Sequence, residues 1–285
     1  MKKICILLLA ILMFGSLAYA QELQLPRVSQ KASVMQTIGL TDVTITYSRP
    51  GVKGRAIWGG LVPYDKVWRT GANEATTVAF NKDVTINGQK LAAGTYSLHT
   101  IPTKGQWTVI FNKQAEQWGS YEYDAKQDAL KIQVTPQQGS NQEWLTFSFS
   151  EASATSGIVE IAWEKVRVSF KIETDTMNQA MAGIKTALAG DVKDWRVPYR
   201  AADFAVTSNL DKAEPMKWID QSIALKETYW NLRLKASMLA AAGNTSEAVK
   251  VAEKAVAIGK ENKDEPTEVE KTEKLIAEWK ASQKK

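Results

Sequence analysis

Val43-Thr44-Ile45-Thr46-Tyr47-Ser48-Arg49-Pro50-Gly51 decides how the chain is read. Val43, Ile45 and Tyr47 alternate with Thr44, Thr46 and Ser48, and successive side chains of an extended strand point to opposite faces, so this is a strand with one buried and one wetted face. Outward from it, the same two-residue period runs from about Lys31 to Ile172. Trp107, Val109 and Phe111 share a face opposite Thr108; Leu145, Phe147 and Phe149 share one opposite Thr146 and Ser148. Asn87-Gly88, directly after Val84-Thr85-Ile86, predicts a two-residue hairpin. Ala93-Gly94, Lys104-Gly105, Gly139-Ser140 and Ser156-Gly157 predict further reversals. Val159, Ile161 and Trp163 fall on odd positions but Val166, Val168, Phe170 and Ile172 on even ones, which predicts a bulge near Glu164-Lys165. Nine or ten short strands of this kind imply an all-β antiparallel sandwich or jelly-roll-like domain over residues 21–173.

After Glu173 the period changes to that of a helix, alanine becomes abundant and glycine scarce. Helices are expected at about 175–189, 194–208, 212–225, 228–242, 245–261 and 266–282, with Thr245-Ser246-Glu247 capping the fifth and a solvated linker over 262–270. Trp195 and Trp230 are separated by 35 residues, Ala202 and Ala236 by 34, Ala213 and Ala248 by 35, Ala224 and Ala257 by 33. That period predicts an all-α, helical-hairpin domain over 174–285, like tetratricopeptide repeats, closed by a helix containing Trp279; an ordinary bundle with coincident spacings is the alternative.

Lys2 and Lys3, the apolar run from Ile4 to Phe14 and the triplet Ala18-Tyr19-Ala20 have the order of a cleavable signal peptide over residues 1–20. The expected address is therefore the periplasm or the exterior, with a mature chain starting near Gln21. Cys5 is the sole cysteine and leaves with the signal, so no disulfide, thiolate nucleophile or thiolate metal site is expected. The chain carries a net charge of +5; without Lys2 and Lys3, 34 basic residues face 31 acidic ones, a balance of +3 that gives little support to nucleic-acid or membrane-surface binding. The excess is local. Between Gln21 and Asn73 stand seven basic residues, Arg27, Lys31, Arg49, Lys53, Arg55, Lys66 and Arg69, against Glu22, Asp42 and Asp65.

Most of those bases lie in a long loop. Tyr47 to Arg55 leads into Ile57-Trp58-Gly59-Gly60-Leu61-Val62-Pro63-Tyr64 and then Val67-Trp68-Arg69-Thr70-Gly71-Ala72-Asn73-Glu74 before the next strand. Arginines beside tryptophans present planar donors and stacking faces to a carboxylate, phosphate, sulfate or sugar ring; they also form structural stacks, and Glu74 is positioned in sequence to neutralise one of them. These stretches, together with Ala93 to Leu98, Trp107 to Asn112 and Trp118-Gly119-Ser120-Tyr121, resemble an exported bacterial family catalogued as domain of unknown function 2911 over about residues 31–173. The resemblance implies a domain ending there and puts Arg49, Lys53, Arg55, Trp68, Arg69, Asn73 and Glu74 on the family's motif positions. It implies no activity.

The expected ligand-binding set is Arg49, Lys53, Arg55, Trp68, Arg69, Asn73, Glu74, Trp118 and Tyr121. Trp107 is expected in the core, whereas Trp118, Tyr121 and Tyr123 are surface candidates for stacking on a sugar. His99 is the only histidine, sharing a strand face with Ser97 and Ile101. It and Glu74 are the candidate catalytic groups, and Glu116 and Glu122 are further carboxylates. One histidine without cysteine makes a zinc site improbable, and no calcium-loop spacing is present; neither metal nor cofactor is expected. The mature chain has no nucleophile elbow, phosphate-binding glycine loop or dinucleotide fingerprint. The function expected is an exported module for a small anionic or carbohydrate ligand, its helical tail docking a protein partner. The alternatives are an envelope assembly protein or a hydrolase using Glu74 or His99.

Overall fold

The structure, a computed structural model, describes residues 25–210, 213–263 and 266–283. The expected signal segment lies outside the described residues. The chain divides into two compact units, one ending at Thr174 and the other beginning at Asp175.

Ten strands among the described residues build the first unit: β1 Gln30–Ile38, β2 Thr41–Arg49, β3 Thr77–Phe80, β4 Val84–Ile86, β5 Gln89–Leu91, β6 Gly94–Ile101, β7 Trp107–Asn112, β8 Asp128–Val134, β9 Gln137–Ser150 and β10 Ser156–Thr174. They form a six-stranded sheet in the order β1-β2-β3-β6-β7-β8 and a four-stranded sheet in the order β5-β4-β10-β9, with all pairs antiparallel. Neither sheet closes into a barrel. The architecture is the antiparallel β-sandwich expected from the alternation, with the tested faces where they were placed. Val43 and Ile45 on β2, Val109 and Phe111 on β7, Leu145 on β9 and Phe170 on β10 all belong to one core and are essentially inaccessible. Burying each such side chain contributes on the order of 1.5–3 kcal/mol.

Local chemistry follows the sequence closely. Asn87 (φ 46°) and Gly88 (φ 81°) make the β4–β5 hairpin, both in the left-handed region that a type I′ turn requires. The register of β10 against β9 slips on either side of Glu164, whose φ is 51°, so the bulge is where the change of phase put it. Two reversals differ. Gly139-Ser140 lies inside β9, where the missing side chain makes room for Arg167 on the neighbouring strand: a Cβ on Gly139 would stand 2.9 Å from Arg167 Cγ. Arg167 also donates from Nη2 to Ser140 O at 2.6 Å. Ser156 opens β10, and the reversal is the preceding segment 151–155, held by the Ser156 amide donating to Ser153 Oγ at 3.0 Å.

The second unit has six helices among the described residues: α1 Thr176–Leu188, α2 Arg196–Thr207, α3 Ala213–Leu225, α4 Tyr229–Ala241, α5 Thr245–Asn262 and α6 Pro266–Ser282. The 34-residue period is visible in what is buried. Pro198 and Ala202 on α2 match Leu232 and Ala236 on α4; Pro215, Trp218 and Ser222 on α3 match Val249, Ala252 and Val256 on α5. Of the small-residue pairs expected at helix crossings, Ala202–Ala236 is buried on both sides, whereas Ala224 and Ala257 are both exposed. The expected linker is also shorter than 262–270, because Pro266 starts α6, where its missing N–H costs nothing. Asn244, not Thr245, occupies the N-cap position of α5, and its side chain makes no capping hydrogen bond among the described residues.

One buried polar pair in this unit is well defined. Tyr229 is fully buried, donates from its hydroxyl to Glu268 O at 2.6 Å and lies 2.8 Å from Thr272 Oγ1. Tyr229→Phe leaves the Thr272 hydroxyl without that neighbour, and a loss of about 1–2 kcal/mol in urea unfolding is expected. An unchanged midpoint would show that the pair contributes nothing net.

Candidate functional site

Residues 50–76 connect β2 to β3 and are fixed at several points. Val52 N donates to Glu143 O at 2.8 Å and Leu145 N donates to Pro50 O at 3.0 Å, so the start of the loop pairs with the edge of β9. Further on, Trp68 and Thr100 exchange backbone hydrogen bonds of 2.8 and 2.9 Å, tying the loop to the end of β6. This pairing orients Trp68 into an aromatic cluster. Its ring stacks on Trp163 at 5.7 Å with an interplanar angle of 19°, and Trp58 meets Trp68, Trp107 and Trp163 edge-on at 5.8, 4.8 and 5.8 Å.

The basic residues of the loop have different tasks. Arg49 donates from Nε to Leu145 O at 2.9 Å and from Nη2 to Thr146 Oγ1 at 2.8 Å, which ties the two sheets together. Arg55 donates from Nη2 to Gly51 O at 2.6 Å and from Nε to Val52 O at 3.1 Å, holding its own turn. Lys53 takes a left-handed backbone conformation, donates its N–H to Glu143 Oε1 at 2.8 Å, and holds its ammonium 5.8 Å from the Trp144 ring centre.

Arg69 stands apart. It is half-buried, makes no ion pair among the described residues, and its Nε is buried with no protein acceptor. Desolvation holds the guanidinium below its ordinary pKa, with Tyr121 acting weakly in the opposite direction. Two hollows meet at this side chain. One, of about 240 Å³, lies against Lys53, Arg55, Leu61, Trp68, Arg69 and Trp163; the other, of about 310 Å³, lies against Leu61, Lys66, Trp68, Arg69, Ser120 and Tyr121. Leu61, Trp68 and Arg69 line both, and among the described residues no acidic one lines either. Together the two hollows, called the groove below, present four cationic side chains and an aromatic wall.

Asn73 and Glu74 lie elsewhere. Gly119 N donates to Asn73 O and Ala75 N to Gln117 O, both at 3.0 Å, so residues 73–75 pair with 117–119. Asn73 Nδ2 donates to Ser29 O at 3.2 Å. Glu74 does not neutralise a loop arginine. Both of its oxygens accept from Arg27 Nη1 at 2.7 Å, and this partner holds the carboxyl below its usual pKa. Glu74 lines a third cavity, of about 390 Å³, on the outer face of the six-stranded sheet together with Lys31, Thr46, Thr77, Glu116 and Trp118. Trp118 is 57% exposed and Tyr121 85%, while Trp107 is in the core.

His99 sits on the outer face of β6, opposite Leu98, yet is fully buried because residues 113–127 fold over it. Ser120 Oγ is 3.3 Å from its Nδ1, the Tyr123 ring lies 5.2 Å away, and Nε2 is buried with no partner among the described residues. Tyr123, expected at the surface, instead donates to Asp128 Oδ2 at 2.7 Å. Burial pushes His99 down to about 4, only partly opposed by Asp128. The unfolded chain takes up this proton near pH 6.5 and the folded chain only near 4, so stability present above pH 6.5 falls as pH drops through that window, by up to about 3 kcal/mol. Since His99 is the only histidine, urea melts at pH 7 and 5 should show the slope, and His99→Gln should remove most of it.

Residues 29–172 match the family described as "Protein of unknown function (DUF2911)". The chain belongs to this family. No curated protein and no solved structure matches it. The DUF2911 domain thus coincides with the sandwich, and the groove is built inside it. Of the residues expected to bind ligand, Lys53, Arg55, Trp68, Arg69 and Tyr121 come together around the groove, Glu74 and Trp118 line the neighbouring cavity, and Arg49 and Asn73 serve as ties. Lys66 and Leu61 join the groove from the same loop. Arg27 and Gln117 had no signal beyond charge and polarity, because their places depend on how two distant segments pair. Among the described residues no three His, Cys, Asp or Glu side chains are grouped to hold a metal ion, and no helix is long and apolar enough to cross a membrane.

Proposed function

We propose that this protein is an exported ligand-binding module whose β-sandwich takes an anionic ligand in the groove at Arg69. The observation that carries the reading is the state of Arg69 itself: a half-buried guanidinium that has lost part of its hydration, with no partner for Nε and no ion-paired carboxylate among the described residues. A cation left in this condition is destabilising unless something outside the chain completes it. Lys53, Lys66 and Arg55 add positive potential along the same groove, and Trp68 and Leu61 supply a flat apolar wall for a ring-bearing anion. Binding is favoured over hydrolysis because His99 is buried and neutral, and Glu74 is held by Arg27 on both oxygens. Export rests on the pattern of residues 2–20, and a mature N-terminus near Gln21 is the result a mass measurement on the secreted protein should give. The helical half, with its 34-residue period, is assigned a partner-docking role, which stacked helical hairpins commonly serve.

A thermal-shift screen tests the binding role. Phosphate, sulfate, phosphorylated sugars and uronates should raise the melting temperature, neutral sugars alone should not, and the gain should shrink as salt rises. Equal shifts with neutral and anionic compounds would count against the groove.

A further inference from the structure

We propose that the arginine groove and the cavity on the sheet face form one track, and that its ligand is an acidic oligosaccharide. This rests on the groove reading above and names its substrate class. The two cavities flank a single segment: Trp118 lines the sheet-face cavity, and Ser120 and Tyr121, two and three residues later, line the groove. Gly119 sits at the ridge between them with a φ of +67°, and a Cβ there would stand 2.9 Å from the Tyr121 ring and 3.6 Å from Arg69 Nη1. The glycine therefore lets the ridge turn tightly over the arginine.

The two ends of the track differ in chemistry. The groove is cationic. The sheet-face cavity instead carries the carboxylates of Glu74 and Glu116, the Thr46 and Thr77 hydroxyls and Lys31, beside a largely exposed indole. Gln117, which is nine-tenths buried and lines the cavity, has a carboxamide oxygen with no donor among the described residues. Carboxylate and amide oxygens accept from hydroxyl groups, and an exposed indole covers the apolar face of a sugar ring. With Glu74 paired to Arg27 and with Glu116 and Lys31 both lining it, the sheet-face cavity presents no run of cations for a nucleic-acid backbone, and the cations at the other end disfavour a basic peptide. A chain of hydroxyl-rich rings with an acidic group at one end satisfies both. Trp118 and Tyr121, spaced along the ridge, offer successive rings a platform each.

Calorimetric titration of the full chain with galacturonate, tetragalacturonate and hyaluronan tetrasaccharide tests the track, using wild type and Trp118→Ala. Trp118 is exposed, so the variant should fold normally. A tetrasaccharide should bind the wild type at least tenfold more tightly than the monomer, and Trp118→Ala should erase that advantage while changing monomer affinity less than twofold. If monomer and tetrasaccharides bind equally, or the advantage survives in Trp118→Ala, the track is wrong and the groove reading stands. If inorganic sulfate binds at Arg69 but no saccharide does, the sugar assignment is wrong and the groove reading again stands. Absence of binding by every anion overturns both.

Discussion

Trp163→Ala should lower the stability of the β domain by about 3–5 kcal/mol, a fall of roughly 10 °C in melting temperature. Trp163 is 2% exposed, stacks on Trp68 and receives the edge of Trp58. Truncation removes its apolar area and leaves a void between the long β10 strand and the 50–76 loop, which has too little regular pairing to collapse into it. The indole Nε1 has no partner among the described residues, so Trp163→Phe should cost much less than the alanine variant. Because Trp163 also forms the wall of the groove, the alanine variant should weaken anion binding even at temperatures where it remains folded. Urea unfolding followed by tryptophan fluorescence checks both points. A loss below about 1 kcal/mol would mean that the cluster is not a foundation of the domain.

Arg69→Met should have the opposite effect on stability. Replacing a contact-forming arginine normally destabilises a protein, but here the lost guanidinium is partly desolvated and makes no ion pair among the described residues, and methionine keeps an aliphatic stem of similar length. The melting temperature should stay constant or rise by a few degrees, equivalent to about 1 kcal/mol, while anion binding falls by at least tenfold. A residue that lowers stability and is needed for binding is what a functional position looks like. Arg55→Met gives the contrast: its guanidinium holds the Gly51 and Val52 carbonyls, so the same substitution should destabilise. If Arg69→Met destabilised as much as Arg55→Met, Arg69 would be another structural tie.

These contrasts bear on what the sequence could reveal. Alternation at Val43, Ile45 and Tyr47 located the core face of β2, and the change of phase after Trp163 located the bulge at Glu164, because both are consequences of a two-residue period that needs no knowledge of partners. The Gly139-Ser140 reversal failed for a different reason. Glycine serves a turn and a close approach equally well, and only the neighbouring Arg167 distinguishes them. The same limit applies to the site. Arg49, Arg55 and Arg69 are alike in sequence, but the carbonyls that occupy the first two belong to β9 and to a turn, and the third faces none. Strand alternation put His99 on the face opposite Leu98, and a segment over ten residues further along the chain buries it there. Charge and aromatic content thus indicated the loop, and pairing between distant segments selected the residue within it.

The most direct measurement is a calorimetric titration of galacturonate and of sulfate into the wild type and Arg69→Met at low and at physiological salt. Saturable binding by the wild type that weakens with salt and is lost in a folded Arg69→Met protein is the predicted result. Identical binding isotherms for the two proteins would contradict it.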